Sequence, residues 1–301
     1  MTEDVFRSGY VAIIGDPNVG KSTLMNALIG QKISIVTNKP QTTRHKILGI
    51  LSKERFQAIF LDTPGLLKPK YLLQEAMMDF ARSAVKEADL VLFMIDATDP
   101  NIGPEIEHAA AFGVLQGLGK PVYLIINKID LVAKEAVLPV IAFYSDKFTF
   151  KEIFPVSALH LLGTQDLVES LVMDLPEHPP YYPLDIVSEH SERFFVSEII
   201  REKVFEKFKE EIPYSTTVDI IEFKEQEGRK DLINAEIYVE RESQKGILIG
   251  KKGGALKVVG ELARKDIETF LGRPVFLELR VKVREKWRQK EAWLRRLGYK
   301  G

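Results

Sequence analysis

The chain of 301 residues contains no cysteine, which removes disulfides, thiolate metal sites and cysteine nucleophiles together. A secreted, cross-linked scaffold is excluded, and an intracellular protein is expected. No apolar run approaches the ~18 residues that a membrane-spanning helix needs. The start, MTEDVFRSGYVAIIGD, has no basic region followed by an apolar one, so neither export nor a membrane span is expected. Nor is there an excess of either charge: 42 basic residues stand against 43 acidic ones. A field that balanced draws no polyanion to the whole molecule, so any affinity for nucleic acid has to come from local clustering.

What is present is a chain 45% apolar and 28% charged, the profile of a soluble globular protein, and long enough for two domains each burying a core. From Tyr10 to about Leu175 the apolar runs YVAIIG, RFQAIFLD, DLVLFMID, PVYLIIN and IFPVSA alternate with helix-length segments. That alternation predicts an α/β domain with a mostly parallel sheet covered on both faces. In KILGILSKERFQAIFLD two strand-like runs flank only SKER, a link short enough to force an antiparallel hairpin, so the sheet is mixed.

LPEHPPYYP, Leu175 to Pro183, carries four prolines in nine residues, which forbids helix and favours an extended tether. We therefore expect a first domain over 1–178, a linker over 179–190 and a second domain over 191–301. Beyond the linker SERFFVSEIIREKVFEKF has helical spacing, and TTVDIIEFKE and LINAEIYVE are strands flanking a hairpin. KGILIGKKGGALKVVGELARKDIETFLG is a loop entering a helix that ends near Gly272, and VFLELRVKVRE alternates as a strand. The predicted order is α, β, β, α, α, β.

GDPNVGKS, Gly15 to Ser22, fits G-x-x-x-x-G-K-S between a strand and an amphipathic helix closed by Gly30. The stretch Gly15, Asp16, Pro17, Asn18, Val19, Gly20, Lys21, Ser22 and Thr23 would cradle a nucleotide's phosphates with backbone N–H groups at a helix N-terminus. Lys21 would reach the β- and γ-phosphates and the Ser22 hydroxyl a magnesium ion. FLDTPG sets Asp62 at a strand end, where its carboxylate can hold magnesium through water, and Gly65 where its N–H can meet the γ-phosphate. NKID supplies Asp130 to accept from both donors of a guanine edge, which adenine lacks, with Lys128 along the ring and Asn127 tying this loop to the first. SAL, Ser157, Ala158 and Leu159, follows the last strand, and the Ala158 N–H is expected at guanine O6.

With these four motifs in order, residues 10 to 175 resemble a Ras-like P-loop GTPase of the translation-factor class. PQTTRHKILG, Pro40 to Gly49, matches its first switch segment, and the resemblance carries the magnesium-contacting threonine to Thr43, with Thr42 as the alternative. It implies GTP or GDP with Mg2+ held by Ser22, Thr43 and Asp62, and a catalytic group of Asn18, Lys21, Thr43 and Gly65. Leu66 stands where a water-orienting glutamine would be, so slow intrinsic turnover is expected. Asn18 resembles the loop asparagine of GTPases that bind K+ as a positive charge beside the transition state; bracing of the loop is the other reading.

A second glycine–lysine loop, GILIGKKGGA, lacks the spacing and the companions of the first. G-x-x-G within the α-β-β-α-α-β order resembles an α+β type II KH domain, whose loop clamps single-stranded nucleic acid. Gly250 and Gly253 admit a close backbone, Lys251 and Lys252 face phosphates, and Ile247, Leu248, Ile249 and Leu256 anchor the flanking helices, with some of them lining the base-facing groove. The C-terminal stretch adds Arg280, Lys282, Arg284, Lys286 and Arg288, then Lys290, Arg295, Arg296 and Lys300, against only Glu285 and Glu291. Trp287 and Trp293 within it either stack on bases or pack on the domain.

The combination across nearly the whole chain resembles the Era-like GTPases. The resemblance implies a monomeric switch that binds 16S ribosomal RNA near its 3′ end and assists assembly of the 30S subunit, cytoplasmic with a peripheral membrane-associated fraction. Two other classes stay in view: an interaction module whose KH-like domain binds protein, and a metabolic phosphoryl transferase, for which no acceptor motif is visible.

Overall fold

The computed structural model describes residues 5–99 and 110–299; Lys300 lies outside them. The chain divides into two compact units. The first runs to Ser34 and adds Thr43–Lys70 and Gln74–Glu189; the second comprises Ile35–Thr42, Tyr71–Leu73 and the chain from His190.

The first unit contains β1 (Arg7–Gly15), α1 (Lys21–Ile29), β2 (Ile47–Lys53), β3 (Phe56–Asp62), α2 (Leu72–Glu87, its first two residues counted with the second unit), β4 (Leu90–Asp96), α3 (Ala110–Gly113), β5 (Val122–Asn127), α4 (Lys134–Lys147), β6 (Glu152–Pro155) and α5 (Thr164–Asp174). The sheet runs β2-β3-β1-β4-β5-β6. All neighbours are parallel except the β2–β3 hairpin, as the short SKER link requires. Six consecutive residues of β4 are buried, the mark of a strand covered on both faces. Strand order grows outward from β1 in both directions, so the crevice beyond its carboxyl end is where an open α/β sheet takes a ligand. The expected phosphate loop leaves β1 there, and Asp62 ends the neighbouring β3.

The proline-bearing stretch is extended, as predicted, but it is strapped to the first unit rather than free. Gln57 accepts the Tyr181 and Tyr182 N–H groups at 2.8 and 3.0 Å and donates to the Tyr182 carbonyl at 2.9 Å. Farther along, the Ile50 N–H donates to the Val187 carbonyl and the Ser188 hydroxyl to that of Leu48. Composition could show that the segment is not helical. The partner that covers the open side of edge strand β2 is a long-range fact.

The second unit contains α6 (Glu192–Lys207), α7 (Ile212–Ser215), β7 (Thr217–Lys224), β8 (Asp231–Val239), α8 (Glu242–Ile249), α9 (Gly254–Leu271), β9 (Val275–Val283) and α10 (Glu291–Arg296). Ser191 caps α6 by accepting the Phe194 N–H. The sheet β7-β8-β9 is antiparallel across the hairpin and parallel between β8 and β9. A parallel pair needs a crossover, and α8 with α9 supplies it. Val196, Ile200 and Val204 of α6 meet Ile233 and Ile237 of β8 and Val259, Ala263 and Ile267 of α9 in one core. The short α7 and α10 are additions to the predicted order.

Candidate functional site

Gly20 shows why the first loop needs glycine. Its φ is 102°, and a Cβ there would lie 2.3 Å from the Asn127 amide nitrogen. That amide donates to the Val19 carbonyl at 2.8 Å, so the base-side loop is tied to the phosphate loop at the point of closest approach. Asn18 takes a left-handed φ of 67° within the same turn. Lys21 begins α1 and is 6% exposed. Its ammonium donates to the Gly15 and Asp16 carbonyls at 3.1 and 2.8 Å, curling back across the loop. Burial pushes its pKa down to about 8, against the attraction of Asp62 and Asp16. Gly65 packs against the loop so closely that a Cβ would fall 2.7 Å from Pro17 Cα, and the next N–H, that of Leu66, reaches the Gly15 carbonyl. The Leu66 side chain is buried.

The three residues expected to hold magnesium converge. Asp62 is fully buried, and its Oδ2 accepts the Ser22 hydroxyl at 2.7 Å. The Ser22 and Thr43 hydroxyl oxygens are 2.8 Å apart; with the Ser22 proton committed to Asp62, Thr43 is the donor of that bond. Thr42 instead bonds the Thr37 hydroxyl and the Lys39 carbonyl, so Thr43 is the threonine at the loop. Burial raises the Asp62 pKa, while the hydroxyls of Ser22, Ser34 and Thr43 and the charge of Lys21 pull it back. Asp62 Oδ1 is buried with no hydrogen-bond partner. One orphaned carboxylate oxygen beside two hydroxyls is a hard, all-oxygen donor set, and it fits Mg2+.

At the base corner, β5 ends on Asn127. Its side chain faces two ways, donating to Val19 and accepting the Ala158 N–H at 3.0 Å. The Ala158 N–H, expected at guanine O6, is therefore given to Asn127 in this structure. The Lys128 ammonium is paired with Asp96 at the end of β4. Burial works to raise the Asp96 carboxyl, and the Lys128 and Thr98 hydrogen bonds outweigh it and hold it low. Asp130 lies 3.6 Å from His160 Nε2. Ser157 is buried with its N–H on the Leu162 carbonyl, and Leu159 is exposed.

In the second unit the other loop is a turn between α8 and α9. Gly250 has a φ of 72°, and a Cβ would come within 2.9 Å of the Ala255 nitrogen, so only glycine allows the helices to meet here. Lys252 adopts a left-handed φ of 51°, and both Lys251 and Lys252 are exposed. Beside the turn a groove of about 450 Å³ is lined by Gly253, Leu256, Gly260 and Arg264 from the turn and α9, and by Leu277 and Leu279 of β9. Ile247 is exposed on α8 and Ile249 packs against the core; neither lines the groove.

The basic stretch is engaged more than its composition suggested. Lys282 pairs with Glu236 of β8, Arg288 with Glu240, Arg280 with Glu278, and Arg296 with Asp219 of β7. Arg284 and Arg296 lie over the Trp293 ring, 5.2 and 5.0 Å from its centre. No ion pair reaches Lys286 among the described residues. Trp287 is fully buried and donates to the Ser215 carbonyl at 2.8 Å, so of its two readings packing holds. Glu278 stands two residues from Arg280 on β9, but the other acidic partners sit on β7, β8 and the turn after β8, far away in sequence.

No sequence motif points to Ser34, whose hydroxyl also donates to Asp62 Oδ2 at 2.7 Å, or to the Asp96 and His160 side chains at the base corner. A lone serine between apolar residues carries no signal by itself.

An aspartate just past the end of β5, a phosphate loop and a hydroxyl-ringed aspartate, all at the carboxyl ends of one sheet, define the class: a P-loop GTPase, here joined to a KH domain. Family models agree, one for the 50S ribosome-binding GTPases matching residues 10–128 and one for the KH domain matching residues 211–288. GTPase Era of Geobacter metallireducens is 49% identical over 99% of this chain and its own full length. The chloroplastic GTPase ERA1 of Zea mays is 47% identical over 98% of this chain and 71% of its own. Among solved structures, Era bound to MgGDPNP and nucleotides 1506–1542 of 16S ribosomal RNA superposes with a TM-score of 0.92 at 42% identity, covering 98% of this chain and 99% of that one. A point variant of Aquifex aeolicus Era bound to GDP and AlF4− gives 0.91 at 42% identity, with the same coverage. The chain belongs to the Era family of GTPases.

Proposed function

We propose that this GTPase is a switch that grips single-stranded ribosomal RNA, the 3′ end of 16S RNA, and assists assembly of the 30S subunit. One observation carries the reading: the same chain holds a phosphate loop with its magnesium-fitting hydroxyl and carboxylate group, and a G-K-K-G turn opening on a groove of about 450 Å³. The full-length likeness to Era solved with 16S nucleotides supports it. The acidic partners on Lys282 and Arg288 shift the expected phosphate contacts toward Lys251, Lys252 and Lys286, with the groove beside the turn taking bases. The monomeric state, a cytoplasmic home and a peripheral membrane fraction belong to this reading through the family.

At the nucleotide site Ser22, Thr43 and Asp62 would hold the magnesium, which supplies positive charge to the β- and γ-phosphate oxygens. Lys21 adds a second, desolvated positive charge, and Asp130 accepts from guanine. Guanine at O6 competes with Asn127 for the Ala158 N–H. Leu66 can neither orient nor deprotonate water, so the attacking water relies on backbone groups and on whatever charge Asn18 holds nearby. Turnover is slow for that reason. A loosened Thr43 after hydrolysis changes the first switch segment, which is how GTP would bias RNA binding.

The test is a gel shift with an RNA of the sequence of nucleotides 1506–1542 of 16S ribosomal RNA and a scrambled control, with a GTP analogue, with GDP and with no nucleotide. Tighter binding of the true sequence with the GTP analogue is expected. Equal binding of the scrambled RNA in all three states would overturn the proposal and favour a protein-binding role for the KH unit.

A further inference from the structure

We propose that Ser34 is a positioning residue for the magnesium-holding carboxylate of Asp62; the inference rests on the reading that Ser22, Thr43 and Asp62 hold the ion. Ser34 is 1% exposed. Its hydroxyl and that of Ser22 both donate to the same oxygen, Asp62 Oδ2, each at 2.7 Å. The two donors fix the carboxylate's rotation and leave Oδ1 as the buried oxygen without a partner. Ser22 has a second duty, since its own oxygen is offered to the cation. Ser34 has none, and so it is the donor that can stay put while Ser22 changes partners.

The backbone of Ser34 is held in place for this. Asn26 Oδ1 accepts the N–H groups of Ile33 and Ser34 at 3.0 and 2.9 Å, and its Nδ2 donates to the Ser34 carbonyl at 2.7 Å. Only one orientation of the amide satisfies two donors and one acceptor, so the clamp is unambiguous. Asn26 lies four residues after Ser22 on α1, hence on the same helix face. The helix that follows the phosphate loop therefore reaches Asp62 twice: directly through Ser22, and through Asn26 and the clamped Ser34. A buried serine needs some partner in any fold; what marks this one is that its partner is the carboxylate the cation would need.

Partners of metal ligands typically set affinity about 10- to 100-fold. The experiment titrates Mg2+ against the full-length protein loaded with a fluorescent GDP, and measures GDP affinity separately in EDTA. Ser34→Ala should raise the Mg2+ midpoint about tenfold and leave GDP affinity in EDTA within about twofold. Asn26→Ala, which keeps the hydroxyl and releases the clamp, should shift the midpoint in the same direction, and it serves if Ser34→Ala does not fold. An unchanged midpoint in the folded variants, or an equal loss of GDP affinity with and without Mg2+, would overturn the assignment. Asp62→Asn separates the two levels of argument: if it keeps the wild-type midpoint, the magnesium reading itself is wrong, whereas loss in Asp62→Asn without loss in Ser34→Ala rejects only the role of Ser34.

Discussion

The two glycine–lysine loops look alike in sequence and differ in how their charges are housed. Lys21 is buried, bonded to two loop carbonyls and pushed down to about 8 by desolvation. Lys251 and Lys252 are exposed on a turn whose glycines let two helices pack. A buried cation of fixed geometry suits one ligand of defined shape. Exposed cations suit a polyanion whose phosphates arrive in series and exchange with counterions. The difference lies in the companions each loop has: the first is surrounded by Asp62, Thr43 and Asn127 from three other segments, and the second has a groove.

The largest expected effect tests the fixed side of that contrast. Asp130→Asn should lower the preference for guanine over xanthine nucleotides by more than about 100-fold, because it sets the amide's donor against the donors of the guanine edge. Competition between GTP and XTP measures it, and RNA binding without nucleotide should be unmoved. A smaller effect tests the other side. Lys251→Ala with Lys252→Ala should weaken RNA about tenfold and flatten the log–log salt dependence by about 1.4, near 0.7 for each single-strand phosphate that is no longer neutralised. GDP affinity of that variant should stay as it was; a parallel drop there would erase the division between the loops. The smallest concerns Asn18. Replacing K+ by Na+ should slow GTP hydrolysis several-fold with GDP affinity unchanged, and equal rates would leave Asn18 as a brace of the loop.

The GTPase motifs were readable because their chemistry is written in short spacings: a glycine that only a tight loop needs, a hydroxyl after a lysine, a carboxylate at a strand end. The hairpin of β2 and β3 was readable because four residues leave no other connection. The basic C-terminal stretch misled in proportion to how far its partners lie along the chain. Glu236, Glu240 and Asp219 pair with Lys282, Arg288 and Arg296 only once β7, β8 and β9 are side by side. Trp287 offered two readings until its indole was seen donating to Ser215 in the core.

By itself the sequence determined the class of nucleotide site, the order of elements and the presence of two kinds of phosphate grip, since each depends on residues within a few positions of one another. Tertiary structure decided which threonine lies at the loop, that Ser34 and Asn26 stand behind Asp62, that the proline-bearing stretch is fastened to β3 and the residues after it to edge strand β2, and which basic side chains are already spoken for. Those are all matters of what a side chain meets across the fold, and hydrogen bonds and ion pairs between distant segments exist only after the chain has closed its sheets.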